Sequence, residues 1–277
     1  MDLTIGVVTD IHFGPAATFE GKLRKLTDRA PALLEAFVER MNRDVRPGVV
    51  VNLGDDIEDE TLDLDRERYR RVVDILGGCE AEVIHVAGNH DNALMTEVDL
   101  ARAWNDPQVD AAGAVPKLYR SRDVGGAHLV MLHTHEEKDQ RVFVEAEQLA
   151  WLEQDLAATN LPTIVFMHHS AADQVLVGNR WFEGRPHICL VQERKRLREI
   201  FEASGKVLLV VNGHLHWNHL DVHRGIPYVT VQSLIENLDD DAPGRPARAN
   251  AIVRVERSRV LVEIEGEERA RYQLART

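Results

Sequence analysis

The sequence predicts an α/β fold, a four-layer α-β-β-α sandwich of two mixed sheets flanked by helices. Three observations predict it. Short apolar runs rich in Val and Ile recur along the chain, as in strands buried on both faces of a sheet. Segments with apolar residues at helical spacing separate these runs. Several runs end in Asp, Asn or His residues, and open α/β folds place their sites at the carboxyl ends of strands.

The strands that end in polar residues are the most informative part of the pattern. The apolar runs are Leu3–Thr9, Val49–Leu53, Val83–Ala87, Thr163–Met167 and Leu208–Val211. The residues that follow them are, in the same order, Asp10-Ile11-His12, Gly54-Asp55, Gly88-Asn89-His90-Asp91, His168-His169 and Gly213-His214-Leu215-His216. Loops on a rigid scaffold tolerate the irregular backbone that ligand residues need. We therefore expect these side chains to gather at one site.

The segments between and after these strands complete the predicted fold. Apolar stripes predict helices, with Asp28 as an N-cap, Pro31 in the first turn and Gly77 ending the second helix; their ranges are Asp28–Asn42, Leu64–Leu76, Glu145–Ala158 and Val191–Ala203. Further strands are predicted at Leu118–Tyr119, Ala127–His133, Leu220–Val222, Tyr228–Ser233, Ala251–Val255 and Val260–Ile264. We expect one domain, residues 1–277, in which the strands of 220–277 complete the second sheet.

Charge limits the classes of partner. The chain has 33 Lys and Arg residues against 46 Asp and Glu residues, so its formal net charge is 33 − 46 = −13. Stable binding to nucleic acid is not expected, because phosphate contacts need clustered Lys and Arg. A small anionic substrate stays open, since a bound metal pair can dominate the local field.

Cysteine content and hydropathy bear on location. Cys79 and Cys189 are too few for a disulfide framework or a thiolate zinc site and favour free thiols in a reducing compartment. The chain enters a strand near residue 3 without a charged apolar leader, and no apolar run reaches the ~20 residues of a membrane helix. These features predict a cytoplasmic protein without a membrane partner. They leave a homo-oligomer open.

The polar residues that end the strands predict a metal centre. Carboxylate, amide and imidazole donors without thiolate suit Mn²⁺, Fe²⁺ or Fe³⁺, Zn²⁺ and Co²⁺. The candidate ligands exceed one tetrahedral site, whereas two ions that share a bridging carboxylate would use them all. Two ions roughly 3.5–4 Å apart can bind a hydroxide and hold a phosphoryl group for in-line displacement. The candidates are Asp10, His12, Asp55, Asn89, His168, His214 and His216.

These motifs, in this order, resemble the calcineurin-like metallophosphoesterase superfamily. The most specific of them are Gly88-Asn89-His90-Asp91 and Gly213-His214-Leu215-His216. The plan is most similar to the bacterial cyclic-nucleotide and glycerophosphodiester phosphodiesterase branch, which the run Glu147–Leu152 also resembles. One departure is His133-Thr134-His135, where many relatives carry an aspartate. That departure puts the transfer of substrate specificity in doubt.

The resemblance implies roles for the motif residues of this chain. Asp55 would bridge the ions, and His90 would stabilise the phosphate oxygens or protonate the leaving oxygen, with Asp91 orienting or charging the ring of His90. Each ion would otherwise be held by one oxygen donor and two histidines: Asp10, His12 and His216 for the first, and Asn89, His168 and His214 for the second.

Other polar residues are open to two interpretations. His169 points either into the site or towards the next segment. Arg180 and Trp181 could meet a substrate phosphate and a base, or belong to a solvated loop with a buried tryptophan. His133 and His135 are expected to be loop residues or to support the ligands from outside. Asp56 is expected to be solvated.

The predicted function is hydrolysis of small phosphodiesters, of cyclic-nucleotide, glycerophosphodiester or nucleotide-diphosphate type, by in-line attack of a metal-bridging hydroxide. The first alternative is a phosphomonoesterase of broad specificity on the same site. The second is a non-catalytic scaffold of this fold, which would be expected to have lost ligands. Fold alone does not decide among them.

Overall fold

The computed structural model describes residues 2–16, 18–110, 115–138 and 140–275. Two six-stranded mixed sheets contain most of the strands. The largest apolar cluster lies between the sheets and contains Ile5 and Val51 from one sheet and Phe166 and Val211 from the other. The two sheets therefore pack face to face around a shared core.

The first sheet has the strand order β14-β13-β12-β1-β2-β3. Strands β1, β2 and β3 run parallel, whereas β12, β13 and β14 pair antiparallel. The bounds are β1 (Leu3–Val8), β2 (Val49–Asn52), β3 (Val83–His85), β12 (Asn250–Val255), β13 (Arg259–Glu265) and β14 (Ala270–Ala275).

The second sheet has the order β10-β11-β9-β8-β5-β4, and its strands β5, β8, β9 and β11 are parallel. A short hairpin, β6 (His135–Glu137) and β7 (Arg141–Phe143), follows β5. The sheet bounds are β4 (Arg120–Val124), β5 (Ala127–Met131), β8 (Thr163–Met167), β9 (Val207–Asn212), β10 (His219–His223) and β11 (Ile226–Thr230).

The sheet assignment of the last strands corrects a sequence expectation. Strands β10 and β11 extend the second sheet, as predicted, but β12 pairs antiparallel with β1 and carries β13 and β14 into the first sheet. The apolar pattern of Asn250–Val255 identifies a buried strand without identifying its neighbour. Pairing is set by the long-range register between Leu3 and Val255, which local pattern does not encode.

Helices cover the outer faces of both sheets. Leu34 and Phe37 of α1 pack on the first sheet, and Leu152 of α4 and Leu197 of α5 pack on the second. The four predicted helices are present, and the structure adds α3, whose N-cap Thr96 forms a capping box. The bounds are α1 (Ala30–Arg40), α2 (Leu62–Leu76), α3 (Glu97–Ala103), α4 (Ala146–Ala158) and α5 (Arg194–Ser204). The predicted four-layer α-β-β-α sandwich is confirmed.

The start of the first helix differs in detail from the prediction. Asp28 lies in a 3₁₀ turn, Thr27–Arg29, and Arg29 occupies the N-cap position without a capping side chain. Pro31 is in the first turn as expected, where its missing N–H costs no hydrogen bond. None of the described helices is both long enough and apolar enough to cross a membrane.

Candidate metal centre

The loops that follow β1, β2, β3, β8 and β9 form the candidate site at one edge of the two sheets. Five of the predicted ligands have left-handed backbone, a conformation that costs a residue with a side chain about 1–2 kcal/mol. Such strain persists only where the surroundings hold it, and it concentrates at functional sites. The five φ values are 52° for Asp10, 44° for His12, 54° for Asp55, 64° for His214 and 53° for His216.

Two glycines let these loops approach one another. A Cβ on Gly88 would lie 2.2 Å from Asp55 Oδ1, and a Cβ on Gly213 would lie 2.6 Å from Asp10 Oδ2. Both distances are far inside van der Waals contact, so neither position accepts a side chain without displacing a carboxylate. The glycines of the Gly-Asn-His-Asp and Gly-His-Leu-His motifs are therefore required by packing.

The first candidate ligand group contains Asp10, His12 and His216. The Nε2 atoms of His12 and His216 are 3.1 Å apart, and His216 Nε2 lies 3.3 Å from Asp10 Oδ1. Asp10 Oδ2 accepts hydrogen bonds from the Thr9 hydroxyl at 2.6 Å and from the His214 backbone N–H at 3.0 Å. Those bonds hold the carboxylate so that Oδ1 faces the two rings. The group could hold one ion.

The second candidate group contains Asn89, His168 and His214. His168 Nε2 lies 3.1 Å from Asn89 Oδ1, and the His168 and His214 ring centroids are 5.1 Å apart. All three sit at strand ends, and the two histidines are buried. Asp55 joins this group to the first, because its Oδ2 lies 3.2 Å from His168 Nε2 and 3.6 Å from His12 Nε2. A carboxylate oxygen between two sets of donors is suited to bridging two ions.

Each ring nitrogen that faces away from the site lies near an oxygen atom, and those of His216, His168 and His214 form hydrogen bonds, whereas His12 Nδ1 has no hydrogen-bond partner among the described residues. His12 Nδ1 lies 3.1 Å from Glu58 Oε2, and His216 Nδ1 lies 2.7 Å from Glu236 Oε2. His168 Nδ1 lies 2.9 Å from the Leu53 carbonyl, and His214 Nε2 lies 3.2 Å from the Ile188 carbonyl. A histidine that binds a metal nearly always donates its other N–H to a carboxylate or carbonyl in this way. The donor set and its supports therefore fit a metal pair.

The electrostatics of the site follow from burying acids and imidazoles together. Burial alone would raise the pKa of Asp10, but the charge of His216 and hydrogen bonds from the neighbouring rings hold it well below its usual range. Burial would likewise raise the pKa of Asp55, and the charges of His168 and His90 lower it strongly. Both carboxylates are thus ionised, which is the state that binds a cation.

The histidine pKa values differ between neighbours. Burial opposes protonation of His168, but the charge of Asp55 outweighs it and raises the pKa to about 10. Burial and the charge of His168 lower the pKa of His214 to about 3. A proton held by His168 would have to leave when an ion binds.

His90 lies beside the first group, outside the ligand set predicted from the sequence. Its ring centroid is 4.8 Å from that of His12, and its Nδ1 forms a 2.6 Å hydrogen bond with Asp59 Oδ1. The ring is a quarter exposed, at 25%. Its backbone N–H donates to Asp55 Oδ1 at 2.9 Å. His90 is thus both accessible and hydrogen-bonded to the carboxylate of Asp55.

Asp91 does not orient the ring of His90, contrary to the sequence expectation. Its carboxylate accepts backbone N–H bonds of 2.8–2.9 Å from Asp55, Asp56 and Gly88. Asp91 therefore fixes two ligand loops against each other, and Asp59 occupies the place next to the ring. Burial and the charge of Asp55 raise the pKa of Asp91 to about 7.

Asp56 is buried, so the expectation of a solvated side chain is wrong. The amide of Asn52 donates to both of its carboxylate oxygens at 2.8 Å. Burial and the charge of Asp91 raise the pKa of Asp56 well above its usual range. The local sequence does not predict the burial of Asp56. Asp55 and Asp56 are adjacent in one buried turn, but their side chains enter two different polar pockets.

Of the three predicted substrate contacts, His169 lies within the second group, with a potential ligand atom within 4.8 Å of those of His168 and His214, and Arg180 and Trp181 lie beside the first group. His169 is buried, bonds Thr134 Oγ1 through Nδ1 at 2.7 Å, and its ring centroid is 4.1 Å from that of His214. Trp181 has its ring centroid 5.3 Å from that of His216 and donates its indole N–H to Glu236. Arg180 is ion-paired with Glu236 at 3.0 Å and also with Asp240. Its guanidinium is therefore paired with protein acids, which disfavours the first of the two sequence interpretations, a contact with a substrate phosphate.

Sequence reasoning missed three acids that support the site: Glu58, Asp59 and Glu236. Glu58 and Asp59 follow the Gly54-Asp55 motif within five residues, and Glu236 follows β11 in the same way that the ligands follow their strands. The pattern of an apolar run followed by polar residues could have identified Glu236. The positions of Glu58 and Asp59 depend on the path of a loop, and the pattern of an apolar run followed by polar residues does not predict that path.

Known proteins share both the sequence pattern and the fold. A profile of calcineurin-like phosphoesterases matches residues 3–218. A curated relative, a probable cyclic nucleotide phosphodiesterase of Synechococcus sp., is 27% identical over 220 residues, or 78% of this chain and 74% of the relative. A dimetal phosphatase from Danio rerio superposes with a TM-score of 0.79 at 17% identity over 99% of both chains. A purple acid phosphatase from yellow lupin seeds superposes with a TM-score of 0.68 at 14% identity, over 100% of this chain and 54% of the other.

Proposed function

This chain belongs to the calcineurin-like phosphoesterase family, and we propose that it hydrolyses small phosphodiesters at a centre of two divalent metal ions. The observation that carries the proposal is the position of Asp55 Oδ2, 3.2 Å from His168 Nε2 and 3.6 Å from His12 Nε2. Each side of that oxygen has its own group of donors, and the histidines of both groups are buried. The arrangement supports two ions that share one carboxylate.

In the proposal each ion has a distinct set of ligands around the bridging Asp55. The sets are those expected from the sequence: Asp10, His12 and His216 for the first ion, and Asn89, His168 and His214 for the second. Nitrogen and oxygen donors of this kind suit Mn²⁺, Fe²⁺, Fe³⁺ and Zn²⁺. When bound, such a pair lowers the pKa of bound water towards ~7 and supplies a nucleophile at neutral pH.

His90 is the acid in this proposal. Burial lowers its pKa, whereas the charge of Asp55 and the hydrogen bond to Asp59 raise it, and the net shift is upward. A raised pKa favours the protonated ring. Its partial exposure lets it reach an incoming ester, so it can donate to a phosphate oxygen or protonate the leaving oxygen.

Beyond the proposed ions themselves, the described side chains next to the first group provide no charge that would favour a monoester over a diester. A phosphomonoester carries about −1.5 to −2 charges at pH 7, whereas a diester carries one. The basic side chains described next to the first group already have partners: Lys25 pairs with Glu58, Arg180 pairs with Glu236, and Arg24 donates to the Arg180 carbonyl. The second charge of a monoester would therefore find no free basic side chain among these residues. The name of the Synechococcus relative favours a diester substrate.

The test compares two esters on protein loaded with Mn²⁺, Zn²⁺ or Fe²⁺. We expect a higher kcat/KM for bis(p-nitrophenyl) phosphate than for p-nitrophenyl phosphate, and no turnover of either by chelator-treated protein. A higher kcat/KM for the monoester would favour the broad phosphomonoesterase. Loss of both activities in fully loaded protein would favour a scaffold without catalysis.

A second panel would define the diester. Cyclic nucleotides, glycerophosphodiesters and nucleotide diphosphates differ in size and in the number of charges next to the reacting phosphate. We propose that such small molecules, rather than nucleic acid, are the substrates, in keeping with the net charge of −13. A cytoplasmic location is part of the proposal, because Cys79 and Cys189 are free thiols.

A further inference from the structure

A second cluster of ligand-type side chains lies beside the dinuclear centre. Potential ligand atoms of Glu97, His133 and His135 all lie within 4.8 Å of one another. The three residues come from two distant parts of the chain, the first turn of α3 and the segment that runs from the end of β5 to the first residue of β6. None of them belongs to either ligand group of the proposed metal pair.

His133 is the unusual member of this cluster. It is only 3% exposed, and neither of its ring nitrogens has a hydrogen-bond partner among the described residues. An unsatisfied buried polar group costs about 1–3 kcal/mol, so a buried imidazole of this kind calls for a partner. Burial and the nearby charge of His135 lower the pKa of His133 to about 3, which keeps the ring neutral and one nitrogen lone pair free.

The surroundings hold the His133 backbone and the His135 ring in place. The side chain of Gln148 accepts a hydrogen bond from the His133 backbone N–H at 2.8 Å and donates one to the His133 carbonyl at 2.7 Å. The His135 ring stacks on Phe143 at 5.3 Å and meets the His133 ring edge-on at 4.3 Å. Ligands that are fixed in advance lose little entropy when an ion binds.

We propose that Glu97, His133 and His135 form a third cation site that takes Zn²⁺ or a similar divalent ion. Two imidazoles and one carboxylate make a common zinc ligand set that leaves a position open. Glu97 and His135 are partly exposed, so an ion can enter and the open position can take water or an anion. The carboxylate of Glu145, 4.0 Å from His135 Nε2, is close enough to contribute after a small movement.

This site would lie next to the second ligand group of the proposed metal pair. Thr134, between the two histidines, bonds His169 at 2.7 Å, and His169 directly follows the predicted ligand His168. A third positive charge here would extend the cationic surface beyond the metal pair.

The experiment counts the Zn²⁺ ions bound per chain. Metal-free protein is dialysed against Zn²⁺, and bound zinc is measured by mass spectrometry in wild type, His135→Gln and Glu97→Gln. His223→Gln is the matched control, because His223 lies at the end of β10 outside all three ligand groups. Circular dichroism of the metal-free proteins shows which variants fold.

We expect His135→Gln and Glu97→Gln each to bind one Zn²⁺ fewer than wild type, and His223→Gln to bind the wild-type number. Equal zinc content in wild type and both site variants would overturn the third site. If either variant is unfolded, the count for the other decides. If wild type binds a single ion that His135→Gln removes, the third site stands and the metal pair of the proposed function falls.

Discussion

The two halves of the candidate metal centre have matching donors but different supports. Each half combines one oxygen donor with two buried histidines. In the half with Asp10, the outer ring nitrogens of the histidines face the carboxylates of Glu58 and Glu236. In the half with Asn89, they face the main-chain carbonyls of Leu53 and Ile188. The difference concentrates negative charge on one side of Asp55.

That asymmetry has a consequence for ion affinity. A carboxylate behind a histidine raises the basicity of the ligand more than a neutral carbonyl does, because the negative charge stabilises the ring as it donates to the ion. The half with Asp10 also has an anionic oxygen donor where the other half has the neutral amide of Asn89. We therefore expect the first half to bind its ion more tightly than the second.

The largest expected effect comes from the residue that the two halves share. Asp55→Asn removes the charge between them, so we expect both ions to be held weakly and kcat/KM to fall by about 10³-fold or more, since a metal pair supplies several kcal/mol. Zinc or manganese content and diester turnover measure this. The control Asp74→Asn, on the exposed face of α2, should change neither. Full retention of one ion would show that Asp55 serves a single half.

A His90 variant tests whether the half with Asp10 has a third histidine ligand. It lies close enough to His12 and Glu58 for the three to hold an ion, although the proposal makes it an acid. We expect His90→Ala to keep both ions and to slow kcat by about 10²–10⁴-fold, the usual range for an acid or base. Metal content by mass spectrometry separates the two roles. A lost ion would move His90 into the ligand set and break the symmetry of donors.

The supporting carboxylates give an intermediate effect that is confined to one half. Glu58→Gln and Glu236→Gln each leave a polar side chain behind the ring but remove its charge, so affinity for the first ion should fall by about 10–100-fold. The control in the other half is Ile188→Val, which changes the side chain and keeps the carbonyl. Calorimetric titration should show no change there. Equal weakening of both ions in the glutamine variants would contradict the division of the centre.

The same division shows what the sequence could predict. The gathering of the candidate ligands was predictable because each one follows a strand of β-branched residues, and parallel strands bring their carboxyl ends to one edge. The hydrogen bond between His168 and the Leu53 carbonyl was not predictable, because every residue carries a carbonyl. Glu58 and Asp59 depend on a loop path, and the choice of Asp59 over Asp91 as the partner of His90 depends on side-chain direction. The sheet of β12 depends on long-range pairing with β1.

The smallest predicted effect concerns Asp59, a third carboxylate on the same side as Glu58. Its hydrogen bond raises the pKa of His90, so Asp59→Asn should lower that pKa. An acid works only while protonated, so the fall in kcat with rising pH should begin at lower pH in the variant. Because both side chains are about a quarter exposed, at 25% and 27%, solvent screens the pair, and the loss of rate at neutral pH should stay below about tenfold.

A pH profile of kcat for wild type and Asp59→Asn measures the shift, and Asp91→Asn provides the contrast. Asp91 accepts hydrogen bonds from the backbone of the loops that carry the candidate ligands. Its variant should therefore lose metal ions instead of shifting the fall in kcat with rising pH. The fall in kcat with rising pH could instead stay in place in Asp59→Asn and shift in Asp91→Asn. In that case Asp91, the carboxylate that the sequence suggested, sets the pKa of His90. Only Glu58 and Glu236 would then add negative charge to the half with Asp10, and the proposed acid His90 would depend on neither half.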